Sequence, residues 1–309
     1  MIYFTGWRRP LALKTDKLAP HEIIPIEVNH RGEKISVYVW KPVGEEKPHP
    51  WVVIHDMAED MTAWLYSVNT LVQDGYTVYA FDLRGHGLSK HLSVSVPFKQ
   101  FWTEIVQIIA WVRERHRGKS PFIIAQGLGA LLALSLNRYN HRFCFALVLA
   151  SPMFVLSDNL STLQIIAIKM FARFFPETLL PLKLCPRFTR NRKHGAGEDM
   201  IKIQPRVTGL VALELLAALT RIHKLLQRSF NPVLFLCPEV SPVHRYELIQ
   251  RLTAKNVEEN KVSYISLRTK YHSIVSDRAE VLDTIRSHVL PWAHRIEKGL
   301  PWPPEGKND

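Results

Sequence analysis

The chain carries 14 histidines and 28 acidic residues, and a few of them stand in turns where a side chain could do chemistry. The densest such turn is Asp82-Leu83-Arg84-Gly85-His86-Gly87-Leu88-Ser89, directly after the apolar run Thr77–Phe81. Its glycines permit a tight bend at a strand's C-terminal edge, and Asp82 and Arg84 are placed to pair and pin it. His86 reads as part of that loop. A second turn, Gln126-Gly127-Leu128-Gly129, separates the apolar run Phe122–Ala125 from a helical stretch. A third, Tyr271-His272-Ser273-Ile274, precedes the last helical stretch and offers a histidine as a general base. His55 and Asp60 share an HxxxxD spacing that reads as chance among so many histidines. The chain has no GxGxxG, no Walker loop, no CxxC pair and no Cys/His ligand set, so neither a cofactor nor a metal is expected.

These turns need a scaffold, and the hydropathy pattern describes one. Ile23–Val28 and Ile35–Trp40 flank the polar turn His30-Arg31-Gly32-Glu33 and read as an antiparallel hairpin. Short apolar strands follow at Trp51–His55, Thr77–Phe81, Phe122–Ala125 and Phe145–Ala150, alternating with helical stretches at Ala63–Gln73, Phe98–Arg115 and Leu128–Leu136. Such alternation implies βαβ units and a parallel sheet. From Ser151 to about Arg228 the strands stop, and Leu163–Phe175 and Gly209–Leu226 read as helices inserted over the sheet. Alternation resumes with Val233–Leu236, Val243–Leu252, Val262–Ser266 and Arg278–Trp292. The expected division is an irregular arm over 1–22, a core over 23–152 and 229–295, a helical cap over 153–228, and a disordered tail over 296–309.

Composition narrows the functional classes. Of 309 residues, 47% are hydrophobic and 22% charged, a globular balance with a core large enough to need no disulfide. Cys144, Cys185 and Cys237 are irregularly spaced and read as buried apolar side chains in a reducing compartment. The start of the chain lacks the basic-then-apolar order of a signal peptide, and no apolar run is long enough for a spanning helix, so a cytoplasmic protein is expected. The formal net charge of +12 reads either as a solvated basic face or as peripheral contact with an anionic membrane. No nucleic-acid motif accompanies it, so no nucleic acid is expected as partner. The oligomeric state is left open.

The motifs together resemble the α/β-hydrolase superfamily, in particular its monoacylglycerol lipase and lysophospholipase group. Asp82–Ser89 matches a D-x-R-G-x-G-x-S loop. Val52-Val53-Ile54-His55 with Trp64, Ser151-Pro152, the helix running into Asn231-Pro232-Val233-Leu234-Phe235-Leu236, and Tyr271–Ile274 followed by Arg278–Leu282 all match in order. The resemblance spans Ile26 to Trp292 and implies an α/β-hydrolase fold: a mostly parallel eight-stranded sheet flanked by helices, with a helical cap insertion. It also implies a serine on a strand–turn–helix elbow, an acid after a later strand, a histidine near the end, and two backbone N–H groups for the oxyanion.

Placed on this chain, those parts are largely replaced. The elbow reads Ala125-Gln126-Gly127-Leu128-Gly129, with Gly127 in the nucleophile's position. The acid's position falls on Ser241, and Glu239 is a candidate substitute. The oxyanion loop after His55 begins with Asp56 and Met57 where a glycine is expected, and a carboxylate there opposes stabilisation of negative charge. Of the triad only His272 is retained. The implied ligand pocket is bounded by His55, Asp56, Met57, Gln126, Gly127, Leu128 and His272, its floor enlarged by the missing serine side chain. The reading that follows is a pseudo-hydrolase that binds a hydrophobic or acyl-type small molecule or a partner. Two alternatives are an ester hydrolase with a non-standard site and a lyase- or oxygenase-like enzyme that uses His272.

Overall fold

The computed structural model describes residues 20–28, 32–57, 59–89, 92, 96–139, 142–153, 162–181, 206–220, 230–239, 261–268, 274–275, 283–300 and 302. Their frame is one eight-stranded sheet in the order β1-β2-β4-β3-β5-β6-β9-β10. The strands are β1 (His21–Glu27), β2 (Lys34–Trp40), β3 (Trp51–Ile54), β4 (Val78–Phe81), β5 (Phe122–Gln126), β6 (Ala146–Ala150), β9 (Val233–Pro238) and β10 (Val262–Leu267). Only β2 runs against its neighbours. It pairs antiparallel with β1 and β4, and every other pairing in the sheet is parallel. This is the mostly parallel eight-stranded sheet that the family resemblance implies, and the hydropathy pattern points to its parallel strands.

The central strands are buried on both faces, which is why their sequences read as unbroken apolar runs. Alternate residues serve opposite cores. Val52, Ile54, Ile123 and Ala125 join the core under α2 (Phe98–Arg115) and α3 (Gly127–Tyr139). Trp51, Val53, Phe122 and Ile124 join the core under α1 (Leu65–Gln73) and α6 (Leu290–Glu297). Helix α1 is entered through a 3-10 turn, Met61–Trp64, in which the Thr62 N–H donates to the side chain of Asp60 and the Met61 N–H to that of Asp82. Before α6 the helix bulges into a π turn over Ile285–Val289, consistent with Pro291, which has no N–H to give the ladder and whose ring crowds the preceding turn.

Two helices are described in the insertion between β6 and β9, α4 (Thr162–Phe174) and α5 (Gly209–Thr220). The expectation that strands stop in this insertion needs correction. Leu179–Pro181 (β7) and Arg206–Thr208 (β8) pair antiparallel into a short ribbon. Three-residue strands are too short to show a period of two, so the pattern could not reveal them. Gly209 follows β8 where a Cβ would lie 2.8 Å from the carbonyl of Phe175 and 3.1 Å from Ala172 Cα, so its lack of a side chain lets α5 approach α4. Glu214 on α5 accepts the backbone N–H of Phe98, the first residue of α2. Pro97 before it offers no side-chain cap, so a carboxylate from α5 takes that place at the positive end of the helix.

At the chain's end α6 continues to Glu297, and Trp302 packs against the second core. The tail expected to be disordered from residue 296 therefore has ordered anchors in its first part. The helical stretch at Val243–Leu252 lies outside the described residues.

Candidate functional site

The elbow is present as a backbone feature. Strand β5 ends at Gln126 and α3 starts at Gly127, whose φ is +54°. That left-handed geometry costs a residue with a side chain of the order of 1–3 kcal/mol, and glycine adopts it freely. Gly129 makes the second close approach: a Cβ there would lie 2.5 Å from the carbonyl oxygen of His55 and 2.6 Å from that of Ile54. Helix α3 thus starts hard against the end of β3, and the loop after β3 faces the elbow directly.

That loop fills the space left by the missing side chain. A Cβ built on Gly127 would sit 1.9 Å from Oδ1 of Asp56, 2.0 Å from Cγ and 2.1 Å from Oδ2. The Asp56 carboxylate therefore occupies the volume into which a nucleophile at residue 127 would extend. Its Oδ1 accepts the backbone N–H of Met57 at 2.7 Å and that of Leu128 at 2.7 Å. One comes from the loop after β3 and the other from the residue after the elbow's Gly127, the places where the family resemblance puts the two oxyanion donors, and both point at the chain's own carboxylate. Asp56 is only 2% exposed. The enlarged pocket floor expected from the loss of the serine is thus corrected: Asp56 takes up the room.

The surrounding groups hold this arrangement. The N–H of Asp56 donates to Glu59 Oε2 at 3.4 Å, and the N–H of Glu59 returns to the Asp56 carbonyl at 3.2 Å. Gln126 is fully buried. Its Nε2 donates to Glu59 Oε1 at 2.9 Å, while its Oε1 accepts the N–H groups of Ile274 at 3.3 Å and Val275 at 3.4 Å. One amide so joins the β3 loop, the elbow and the segment two residues past His272. Glu59 was not anticipated as a site residue, and its position three residues after Asp56 is the only local signal. The wall beyond the elbow is the end of β6, where the N–H of Met153 donates to the Gly127 carbonyl at 3.1 Å.

His55 supports the loop and is not an acid–base group. Its Nδ1 lies 2.7 Å from the Asp56 carbonyl and its Nε2 accepts the N–H of Leu83 at 2.9 Å. That partner set requires the neutral tautomer protonated on Nδ1, and burial lowers the ring's pKa accordingly. His86 is equally buried, with Nδ1 on the Arg84 carbonyl at 2.9 Å, and desolvation, with His55 nearby, brings it down to about 4.

The expected Asp82–Arg84 pair is replaced by two separate nodes. Asp82 accepts Tyr38 Oη at 3.0 Å, the N–H of Met61 at 2.8 Å and the N–H of Leu88 at 2.9 Å. Arg84 turns the other way, to Glu33 at 2.7 Å and to Glu104. Backbone donors already satisfy the Asp82 carboxylate, which leaves the guanidinium to join two carboxylates on other elements.

Of the other expected site residues, Glu239 ends β9 with its N–H on the Leu267 carbonyl at 2.9 Å and its side chain exposed. Ser241 and His272 lie outside the described residues, as does Cys185. Cys144 and Cys237 are free, buried thiols, pushed up to about 12 by desolvation. Among the described residues no group of three or more His, Cys, Asp or Glu is placed to hold a metal ion.

A mostly parallel eight-stranded sheet with an elbow after β5 and an insertion between β6 and β9 is the arrangement of an α/β-hydrolase. The family model for serine aminopeptidase, S33, matches residues 47–279, and the chain belongs to that family. It is 23% identical over 291 residues to a monoglyceride lipase of Mus musculus, covering 92% of this chain and 94% of the relative. Among solved structures, a monoacylglycerol lipase of Paleococcus ferrophilus aligns with a TM-score of 0.69 at 22% identity, over 84% of this chain and 99% of that one. A soluble variant of the monoglyceride lipase of Saccharomyces cerevisiae, in complex with a substrate analog, aligns with a TM-score of 0.76 at 15% identity, over 94% and 99%.

Proposed function

We propose that this chain is a pseudo-hydrolase: an α/β-hydrolase that no longer performs acyl transfer and is kept for binding a hydrophobic molecule or a partner. One observation carries the reading. The Asp56 carboxylate stands in the nucleophile's place with both oxyanion donors bound to it. Acyl transfer needs a nucleophile there and free donors 2.7–3.1 Å from the developing oxyanion. Here the nucleophile is absent, and a fixed negative charge sits where new negative charge would have to form. Loss of the nucleophile alone costs several orders of magnitude in kcat.

The binding role is supported by the cap. On α4 and just beyond it, Leu163, Ile166, Met170, Phe171, Phe174 and Phe175 are all exposed, while Ala172 is buried. A run of this kind on the surface marks a contact site. The proposed ligand class is therefore apolar, met through the cap, with the elbow acting as a closed floor.

The test uses the purified protein with a fluorophosphonate probe and a short-chain acyl ester. The expected result is no labelling and no turnover above background. Labelling or turnover that disappears in His272→Ala would overturn the reading. The complementary variant combines Gly127→Ser, Asp56→Gly and Ser241→Asp, and is expected to gain measurable esterase activity.

A further inference from the structure

We propose that the two-amide cradle of Met57 and Leu128 is an intact carboxylate-binding site that the chain fills with its own Asp56. The inference deepens the reading of the elbow as closed and rests on it. A decayed oxyanion site would have no reason to keep its donors convergent. Here both N–H groups meet one oxygen at equal 2.7 Å distances, short enough for charge-assisted bonds. The elbow keeps the unusual φ of +54° that aims the start of α3 at this point. Close packing of Gly129 on the ends of β3 holds the two donors in register.

The occupant resembles what such a cradle binds. A carboxylate has the charge of an acyl oxyanion and the shape of a carboxylic acid product, and it lies at the positive end of α3. It is tethered through one Cβ, so a free competitor faces a group of high effective concentration. Gly127 and Asp56 then form a matched pair: the missing side chain at one position makes the room that the other uses. The consequence is selectivity. The native protein turns away carboxylates and acyl groups at the elbow, and a chain that lacks the Asp56 side chain takes them up there.

The experiment is thermal unfolding of the full chain in sodium formate, with sodium chloride of equal ionic strength and acetamide as controls. For the native protein, formate and chloride should be equivalent. For Asp56→Gly, the midpoint should fall by about 5 °C and formate should restore about 2 °C saturably, as one bound ligand at about ten times its Kd would. Chloride and acetamide should restore nothing. A folded Asp56→Gly that treats formate like chloride would overturn the proposal.

Should Asp56→Gly fail to fold, Asp56→Asn keeps an acceptor oxygen but loses the charge. Its Met57 and Leu128 amide protons should move upfield from strongly downfield native positions, and no such movement would count against the self-ligand. A covalent adduct on Asp56 after treatment with styrene oxide would also overturn it, since the carboxylate would then be a nucleophile. These outcomes are separable from the functional reading, which falls only if fluorophosphonate labels the native protein or the ester is turned over.

Discussion

At the scale of single residues, the site is built from groups held in one protonation state by burial. His55 and His86 are both lowered by desolvation, His86 to about 4. The folded state binds these rings neutral and the unfolded chain binds them at an ordinary value near 6.5, so their stabilising contribution is complete above pH 6.5. It drains away as the pH falls from there towards 4. For His86 alone the depression corresponds to about 3 kcal/mol. Urea unfolding at pH 7 and pH 4.5 should show this loss, and His86→Gln should flatten that part of the profile. A pH dependence unchanged in His86→Gln would refute the assignment. Asp82, whose carboxyl burial raises, works with the opposite sign, and comparing the variant with the native chain removes it.

Residue identity was legible early: Gly127 and Asp56 stand out as wrong for acyl transfer on the chain alone. Their mutual contact was not. It joins positions far apart in the chain, and no local pattern reports which side chain fills a gap that a distant glycine leaves. A glycine at residue 127 implies a pocket at that point, and the Asp56 side chain packs into it.

At the scale of elements, buried polar nodes set how the pieces meet. Arg84 is 1% exposed and ties Glu33 in the β1–β2 turn to Glu104 on α2, itself 3% exposed. Removing one member of such a node leaves a buried charge and costs about 3–5 kcal/mol. Arg84→Met should therefore lower the urea midpoint sharply. Adding Glu104→Met, which removes the stranded carboxylate, should recover much of the loss. Equal stability of the single and double variants would show that the pairing carries no weight. Strands and helices of the core were readable because apolar runs and helical spacing persist for several residues. The β7–β8 ribbon was not readable, and neither was the Glu214 contact that seats α5 on α2. Both depend on partners far away in the chain.

For the whole molecule, the opening antiparallel hairpin and the parallel strands after it were legible in the alternation seen in the sequence, because a two-faced parallel sheet writes its period plainly, whereas the order of the strands was not. The net charge of +12 and the exposed apolar face of α4 suggest peripheral contact with an anionic surface. Among the described residues no helix is long and apolar enough to cross a membrane. Vesicles rich in phosphatidylserine should co-sediment the protein at low ionic strength and release part of it at high salt, since screening weakens only the charged share. Equal binding to neutral vesicles at any salt would assign the contact to α4 alone, and no binding would remove the idea.

The central claim is that Asp56 occupies the place of the nucleophile, and a double-mutant cycle on stability tests it most directly. Gly127→Ser in the native background meets both a positive φ and the Asp56 carboxylate, and should cost about 3 kcal/mol or more. In the Asp56→Gly background only the backbone strain remains, and the cost should fall to about 1–2 kcal/mol. A coupling of about 2 kcal/mol between the two positions is the expected result. Additivity within about 0.5 kcal/mol, the behaviour of sites that do not touch, would contradict the claim.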